Sequence, residues 1–131
     1  MNYELNEKEK NDIIIRSFKF ALRVLNIVKQ LPKNQALFII CDQLTRSGTS
    51  IGANAEEAKA GFSKQDFIYK MSTASKEARE SNYWLRLLRD SNLISNDSDS
   101  KLYSDIVDAI AESDEIKKIL TSIVKTSKEN R

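Results

Sequence analysis

The chain has 131 residues, of which 40% are hydrophobic and 31% are charged, and its net charge is +2. This composition excludes a disordered chain and suits a single domain with one core. The low content of turn-forming residues, three glycines and one proline, favours long helices over a β-rich fold.

The first predicted helix spans about 10–31. Its apolar residues recur at spacings of four and three, and Pro32 ends it because proline disfavours helical backbone at the preceding residue. Between Ile13 and Leu31 this segment carries four basic residues and no acidic one. The predicted core-facing residues are Ile14, Phe18, Ala21, Leu25 and Val28.

The second predicted helix, at about 34–60, runs through the stretch RSGTSIGANAEEAKAG, which contains every glycine of the chain. A phosphate-binding loop would interrupt the helical period here, and the stretch lacks the Lys-hydroxyl pair of a Walker loop and the G-x-G-x-x-G pattern. Gly61 is at the position where many helices end in a left-handed conformation. The predicted core-facing residues are Leu37, Cys41, Leu44, Gly48, Ile51, Ala55 and Ala58.

Gly48 and Gly52 are four residues apart and therefore lie on nearly the same face of this helix. Each glycine lowers helix stability by about 1 kcal/mol relative to alanine. We expect close helix packing to offset this loss, with Trp84 or Phe18 as the large partner.

Two further helices are predicted, at about 64–90 and 98–126. A variant capping box from Ser63 to Asp66 starts the first, and Asp97 or Ser98 is the candidate N-cap of the second. The predicted core-facing residues are Phe67, Met71, Ala74, Ala78, Ser81, Leu85 and Leu88, followed by Leu102, Ile106, Ala109, Ser113, Ile116, Leu120 and Ile123. We predict an all-α antiparallel up-down four-helix bundle, with 1–131 as one domain and long helices 2 and 3.

Polar residues are expected beside the contact between helices 2 and 3. If these helices fold back on each other, Arg46 reaches the level of Glu77 and Glu80, which share a helix face. An ion-pair cluster here would fix the helix register. The predicted structural cluster comprises Arg46, Asn54, Glu57, Glu77 and Glu80, with Lys76 as a further candidate.

An all-carboxylate Mg²⁺ or Mn²⁺ site at Glu57, Glu77 and Glu80 is the alternative. The di-iron sites of helical bundles use Glu-x-x-His, and this chain has no histidine, which also removes the commonest general base. Cys41 is interpreted as a core residue because no histidine can activate it. We favour the ion-pair cluster, and we predict no metal, no cofactor and no enzymatic activity.

Two basic stripes are candidates for contact with nucleic acid, although the net charge does not by itself indicate such a partner. Binding to phosphates needs an array of cations near a backbone, and the alternative is an ordinary solvated surface. The candidates are Arg16, Lys19 and Arg23 on helix 1, and Arg79, Arg86 and Arg89 on helix 3.

Apolar residues exceed what one core-facing stripe per helix requires. Such a surplus suggests an interface between subunits. The surplus residues are Ile13, Ile15, Phe20, Val24 and Ile27 on helix 1, Phe38 and Ile39 on helix 2, and Tyr83, Trp84 and Leu87 on helix 3.

Other sequence features concern the cellular compartment. Cys41 is the single cysteine and cannot form an internal disulfide. No apolar run reaches the roughly 18 residues that cross a bilayer, and the N-terminus lacks the features of a signal peptide. We therefore expect a cytoplasmic protein with no membrane partner.

The segment from Arg46 to Leu88 resembles the bacterial four-helix-bundle proteins first described from open reading frames inside intervening sequences of 23S ribosomal RNA genes. The matching features are Ser50-Ile51-x-x-Asn54, the turn ending at Gly61, the helix start from Ser63 to Phe67, and Glu77-x-x-Glu80 before Tyr83-Trp84-Leu85. The resemblance implies a ring-like homopentamer. It also implies similarity to the accessory variability protein of diversity-generating retroelements, a pentamer that binds nucleic acid and a reverse transcriptase.

Two hypotheses follow. In the first, the chain is a homopentameric scaffold that binds RNA, DNA or a nucleoprotein through its basic helix faces. In the second, it is a purely protein-binding structural adaptor, and the basic stripes are only solvated.

Overall fold

The computed structural model describes residues 3–130 and consists of four α-helices preceded by a short 3-10 turn at Glu9–Asn11. The helices are α1 (Ile13–Gln30), α2 (Gln35–Ala60), α3 (Lys64–Asp90) and α4 (Ser100–Glu129). This part of the chain contains no strand, so the all-α prediction is confirmed. Helices α2 and α3 are long, at 26 and 27 residues, and α4 has 30. Met1, Asn2 and Arg131, which the predicted domain includes, lie outside the described residues.

Side-chain caps determine where the first three helices begin. The Asp12 carboxylate accepts hydrogen bonds from the backbone N–H groups of Ile14 and Ile15, so α1 begins at Ile13 and not near residue 10. The Asn34 side chain caps α2 in the same way. Ser63 caps α3 by accepting from the N–H of Asp66 at 3.0 Å, which confirms the predicted start of that helix.

Two predicted helix ends differ from the structure. Gly61 has an extended conformation (φ −63°, ψ 155°) and not a left-handed one; it leaves space for the Asp66 carboxylate, with which a Cβ would collide. The predicted cap of α4 at Asp97 or Ser98 is wrong, because both N–H groups donate to the Ser95 hydroxyl in the preceding turn. Helix α4 begins two residues later than predicted and continues three residues beyond 126.

The four helices form a ring in which each packs against two others. Helix α2 contacts α1 and α3, and α4 contacts α3 and α1, while no contact joins α1 to α3 or α2 to α4 within residues 3–130. Ser75 of α3 meets Thr121 of α4, and Asn82, farther along α3, meets Ser113, so these helices run antiparallel. The predicted up-down four-helix bundle is confirmed.

The predicted core-facing stripes of α2, α3 and α4 are buried almost throughout. The exceptions are Cys41, which is half-buried and not a full core residue, and Phe67 and Ile123, which are partly buried at the edge of the core. Each of these helices has a single apolar stripe, so its helical period identified the core face.

Helix α1 is rotated by one residue relative to the prediction. Phe18 and Leu25, predicted to face the core, are 57% and 45% exposed. Several of the surplus apolar residues that were predicted for a subunit interface face the core instead. The prediction was wrong because α1 is apolar around most of its circumference and because a polar residue interrupts the true stripe. The buried residues of α1 are Ile13, Ser17, Phe20, Val24 and Ile27.

The glycine stretch is a packed helix, as predicted, because α2 continues without a break through Gly48 and Gly52. The predicted partners, Trp84 and Phe18, are wrong. A Cβ at Gly48 would meet the Val24 side chain at 2.9 Å, and one at Gly52 would meet the Ser17 hydroxyl at 3.2 Å. The glycines therefore let α1 approach α2 closely.

Trp84 lies partly buried at the edge of the core on α3 and makes an edge-on contact with Tyr83. Its indole N–H has no hydrogen-bond partner within residues 3–130. In this same part of the chain, none of the helices has the length and apolar character that crossing a membrane would require.

Candidate nucleic-acid interface

The first candidate, Arg16 of α1, is engaged by α4. Its Nε and Nη2 atoms donate to the two carboxylate oxygens of Glu112 at 2.7 and 2.9 Å, and Nη1 donates to the Lys10 carbonyl at 2.8 Å. The hydrogen-bonded carboxylate raises the pKa of Arg16 above its ordinary value. The paired side chains are only 12% and 18% exposed, so this guanidinium is committed to holding α1 against α4.

Lys19 and Arg23 are covered by the segment before α1. Lys19 Nζ donates to the Glu4 carbonyl at 3.0 Å and to the Glu9 carboxylate at 3.2 Å. The Arg23 guanidinium lies 5.1 Å from the centre of the Tyr3 ring, a cation–π distance. The basic stripe of α1 therefore makes internal contacts, and its charges are less available to a phosphate than the sequence suggests.

An acidic stripe on α4, formed by Asp105, Asp108 and Glu112, faces this side of α1. Its spacings of three and four match those of the basic stripe, a complementarity that the sequence reasoning missed. The Asp105 carboxylate accepts from Asn26, Gln30 and Lys101 at 3.0 to 3.3 Å. Burial raises the pKa of Asp105, but the hydrogen bonds from Lys101 and Gln30 outweigh it, and the pKa lies below its ordinary value.

The three candidate arginines of α3 differ in what they contact. Arg86 Nε donates to the Asn82 side chain at 2.8 Å, and Arg89 pairs with Asp90 at the end of the helix. Arg79 is exposed, and no ion pair joins it to another residue of the described part of the chain. Of the six predicted candidates, Arg79 is the one whose charge is most available.

Arg79 lies beside a groove between α3 and α4, which we call the α3–α4 groove. It consists of two adjoining surface hollows of about 420 and 470 Å³, and no carboxylate lines either. Lys117, Lys118 and Lys125 bring the cations of α4 to the groove. The lining residues are Ser72, Ser75, Arg79, Lys117, Lys118, Thr121, Ser122, Val124, Lys125 and Lys128.

The predicted candidates did not include the lysines of this groove. No local pattern reveals the groove, because it depends on the register of the two helices. Asn82 Nδ2 donates to the Ser113 hydroxyl at 2.9 Å and to the Asp114 carboxylate at 3.2 Å. Together with the contact between Ser75 and Thr121, this register brings Arg79 to the level of Lys117.

The polar cluster between α2 and α3 contains three of the residues predicted for it. Arg46 Nη1 lies 3.2 to 3.3 Å from the carboxylate oxygens of Glu77, and Nη2 donates to Glu80. Glu77 is buried, at 8% exposure. Asn54 is not part of the cluster, because its side chain donates to the Ser50 carbonyl of its own helix.

Glu57 is exposed and also lies outside this cluster. It is 11 residues beyond Arg46 in α2, a distance of about 16 Å along the helix axis. Within residues 3–130 no group of three or more carboxylate or thiol side chains could hold a metal ion. The alternative carboxylate site at Glu57, Glu77 and Glu80 is therefore wrong.

Cys41 is not activated as a nucleophile. Burial raises the pKa of its thiol, and the nearby Asp42 carboxylate acts in the same direction. A thiol with a raised pKa carries less of the reactive thiolate at neutral pH.

Comparison with known proteins gives the relationships of this bundle. No curated protein sequence matches the chain. A crystal structure from Bacteroides thetaiotaomicron VPI-5482, described as a protein with unknown function from the S23 ribosomal protein family, is similar with 40% identity and a TM-score of 0.74. The match covers 86% of this chain and 98% of the other. Residues 9–122 match the model of the family described as 23S rRNA-intervening sequence protein, and the chain belongs to that family.

Proposed function

We propose that the chain is a non-enzymatic, homopentameric helical scaffold of the cytoplasm that binds RNA or DNA through a basic helix face. Family membership supports this proposal, because the sequence resemblance implies a ring of five bundles. The printed names of the family and of the related structure refer to 23S rRNA and to a ribosomal protein family, which makes RNA the first ligand to test.

An exposed apolar surface on α1 and α2, which we call the α1–α2 surface, supports the proposed oligomer. Phe18 and Leu25 lie seven residues apart on α1 and are 57% and 45% exposed. Phe38 and Ile39, in the first turn of α2, are 60% and 65% exposed. Exposed apolar side chains of this size favour burial against another chain.

The contacts of the polar residues support the proposal that the protein is not an enzyme. The Glu77 and Glu80 carboxylates are paired with Arg46, and the Cys41 thiol has a raised pKa. These contacts hold helices together and do not converge on a position where a substrate atom could react.

The oligomer can be tested by sedimentation velocity on a variant of the α1–α2 surface. We expect Phe18→Ser/Leu25→Ser to dissociate into folded monomers, because it removes two large apolar side chains from the proposed interface. Leu93→Ser is the control, since Leu93 is 40% exposed in the turn between α3 and α4. An unchanged assembly in the double variant would contradict the assignment of this surface.

Nucleic-acid binding can be tested by titrating structured RNA into the wild-type protein at several salt concentrations. We expect affinity to fall as salt rises, because phosphate contacts release counterions. Absence of binding at low ionic strength would contradict this clause.

The alternative function, a protein-binding adaptor without nucleic-acid affinity, is favoured by the internal engagement of Arg16, Lys19 and Arg23. It predicts that the pentamer binds no nucleic acid at any salt concentration. The titration described above therefore separates the two functions.

A further inference from the structure

We propose that the α3–α4 groove is the binding site for the sugar–phosphate backbone of single-stranded nucleic acid, with Tyr83 as a stacking platform for a base. This inference rests on the proposed function and names the residues and the form of nucleic acid. It moves the interface from α1, which carries half of the predicted candidates, to the groove between α3 and α4.

Two cations of the α3–α4 groove, Arg79 and Lys125, are available to a ligand. Neither Arg79 nor Lys125 forms an ion pair with another residue of the described part of the chain. Lys117 and Lys118 contact Asp114 and Glu115 only loosely, at 3.5 and 3.6 Å. Exposed pairs of this kind contribute little to stability and are easily replaced by a phosphate. Arg16 and Lys19 of α1, in contrast, already have short contacts within the chain.

The lining of the α3–α4 groove suits a sugar–phosphate backbone. Its polar side chains are cations and hydroxyls, including Ser72, Thr121 and Ser122. Hydroxyls donate to phosphate oxygens without adding charge, and these are the residue types that position a nucleic-acid backbone. A hollow between α1, α4 and the N-terminal segment has three carboxylates in its lining and only two cations, Arg23 and Lys101, so it is less suited to a phosphate.

The cations of the α3–α4 groove extend over a length of several phosphates. Lys118 and Lys125 are seven residues apart on α4, which separates them by about 10 Å along the helix. Arg79 of α3 lines both hollows and extends the cationic surface across the groove. Because each strand of a duplex has a phosphate every 3.4 Å or so along the helix axis, and an extended strand spaces them farther apart, the groove can contact more than one phosphate.

An exposed aromatic ring near Arg79 favours a single strand over a duplex. Tyr83 is 48% exposed and is four residues from Arg79, so both side chains lie on the same side of α3. Its ring is held in place by an edge-on contact with Trp84, at 5.1 Å between centroids, and by the Arg86 guanidinium at 5.8 Å. A fixed, half-exposed ring beside a cationic groove can stack on an unpaired base, which a duplex does not offer.

Fluorescence anisotropy can test the site with a labelled strand of about 20 nucleotides, as single-stranded RNA, single-stranded DNA and duplex. We expect wild-type protein to bind both single strands more tightly than the duplex. Arg79→Ala/Lys125→Ala should weaken single-strand binding at least about tenfold in low salt and reduce the slope of log affinity against log salt by about 1.4.

Lys29→Ala/Lys33→Ala is the matched control, because it removes two exposed charges at the other end of the bundle. If wild type binds and the two double variants bind equally, the groove assignment is wrong while the proposed function stands. If wild type binds no probe at low salt, the nucleic-acid clause of the proposed function is wrong. Tighter binding to the duplex overturns the single-strand assignment.

Tyr83→Leu and Tyr83→Phe test the stacking platform separately. We expect Tyr83→Leu to lose roughly tenfold in affinity for the single strand and little for the duplex, and Tyr83→Phe to keep wild-type affinity. Circular dichroism and sedimentation on the same samples report whether each variant keeps its fold and assembly. Equal single-strand affinity in folded Tyr83→Leu and Tyr83→Phe overturns the stacking role.

Discussion

Gly48 and Gly52 lie in one helix and face the same neighbour, yet the space around them differs. The Cβ of an alanine at Gly48 would meet both methyl groups of Val24 at 2.9 and 3.0 Å. Val24 is fully buried and has a short branched side chain, so it cannot move aside easily. At Gly52 the nearest atom is the Ser17 hydroxyl at 3.2 Å, which a small rotation can displace.

We therefore expect Gly48→Ala to destabilise the protein by about 1 kcal/mol. Overpacking costs about 1–3 kcal/mol, whereas the gain in helix propensity is only about 1 kcal/mol. Gly52→Ala should be close to neutral. Urea denaturation measures both, and Val24→Ala combined with Gly48→Ala should be less destabilising than the sum of the single changes. Stabilisation by Gly48→Ala alone would show that α1 and α2 are not closely packed there.

Asp105 links stability to pH. Lys101 and Gln30 lower the pKa of Asp105 in the folded state. Its contribution to stability is therefore fully present above the pKa of an unfolded aspartate, near 3.9, and is lost as the pH falls through the lower pKa of the folded state. Asp105→Asn should reduce the loss of stability between about pH 5 and pH 2, measured by thermal unfolding. Asp42→Asn, at an exposed position of α2, is the control; equal pH profiles for wild type and Asp105→Asn would contradict this account.

At the scale of the helices, the spacing of the apolar residues does not determine the rotation of α1 about its own axis. Charge pairing determines which face of α1 packs against the core. Two stripes of α1, one residue apart, are both apolar at spacings of four and three. Arg16 pairs with Glu112 when the stripe that contains Ser17 faces the core. In this rotation Ser17 lies against Gly52. Phe18 and Leu25 are left on the surface, where they form part of the α1–α2 surface.

A double-mutant cycle on Arg16 and Glu112 measures this contact. Because the two side chains are mostly buried and bonded through two nitrogens, we expect a coupling energy of about 1–2 kcal/mol from Arg16→Met, Glu112→Gln and the double variant. A cycle on Lys118 and Glu115, an exposed pair at 3.6 Å, should give a coupling energy near zero. Similar coupling in both cycles would argue that Glu112 does not orient α1.

The sequence predicts most of the fold because α2, α3 and α4 each have one apolar stripe, and because Ser63 marks the start of α3. It also leads to Arg46, Glu77 and Glu80, since folding two adjacent helices about a short turn fixes their register. The groove and the acidic stripe of α4 depend on the registers of α3 with α4 and of α1 with α4. Those registers follow from contacts such as Asn82 with Ser113, which no local pattern reveals.

At the scale of the whole molecule, the two proposed surfaces lie on opposite sides of the ring of helices. The α1–α2 surface is apolar, and the α3–α4 groove is cationic. If the assembly buries the first surface and not the second, the groove of each subunit stays accessible. Several grooves on one particle would bind a single strand more tightly than one groove, because each further contact is intramolecular.

The mass of the purified wild-type protein at micromolar concentration, measured by light scattering at moderate salt, tests this account most directly. The scaffold requires five chains of 15.0 kDa each, a particle of about 75 kDa. We expect that mass, with the same particle binding the single-stranded probe. A uniform species of 15.0 kDa would contradict the scaffold and the role of the α1–α2 surface.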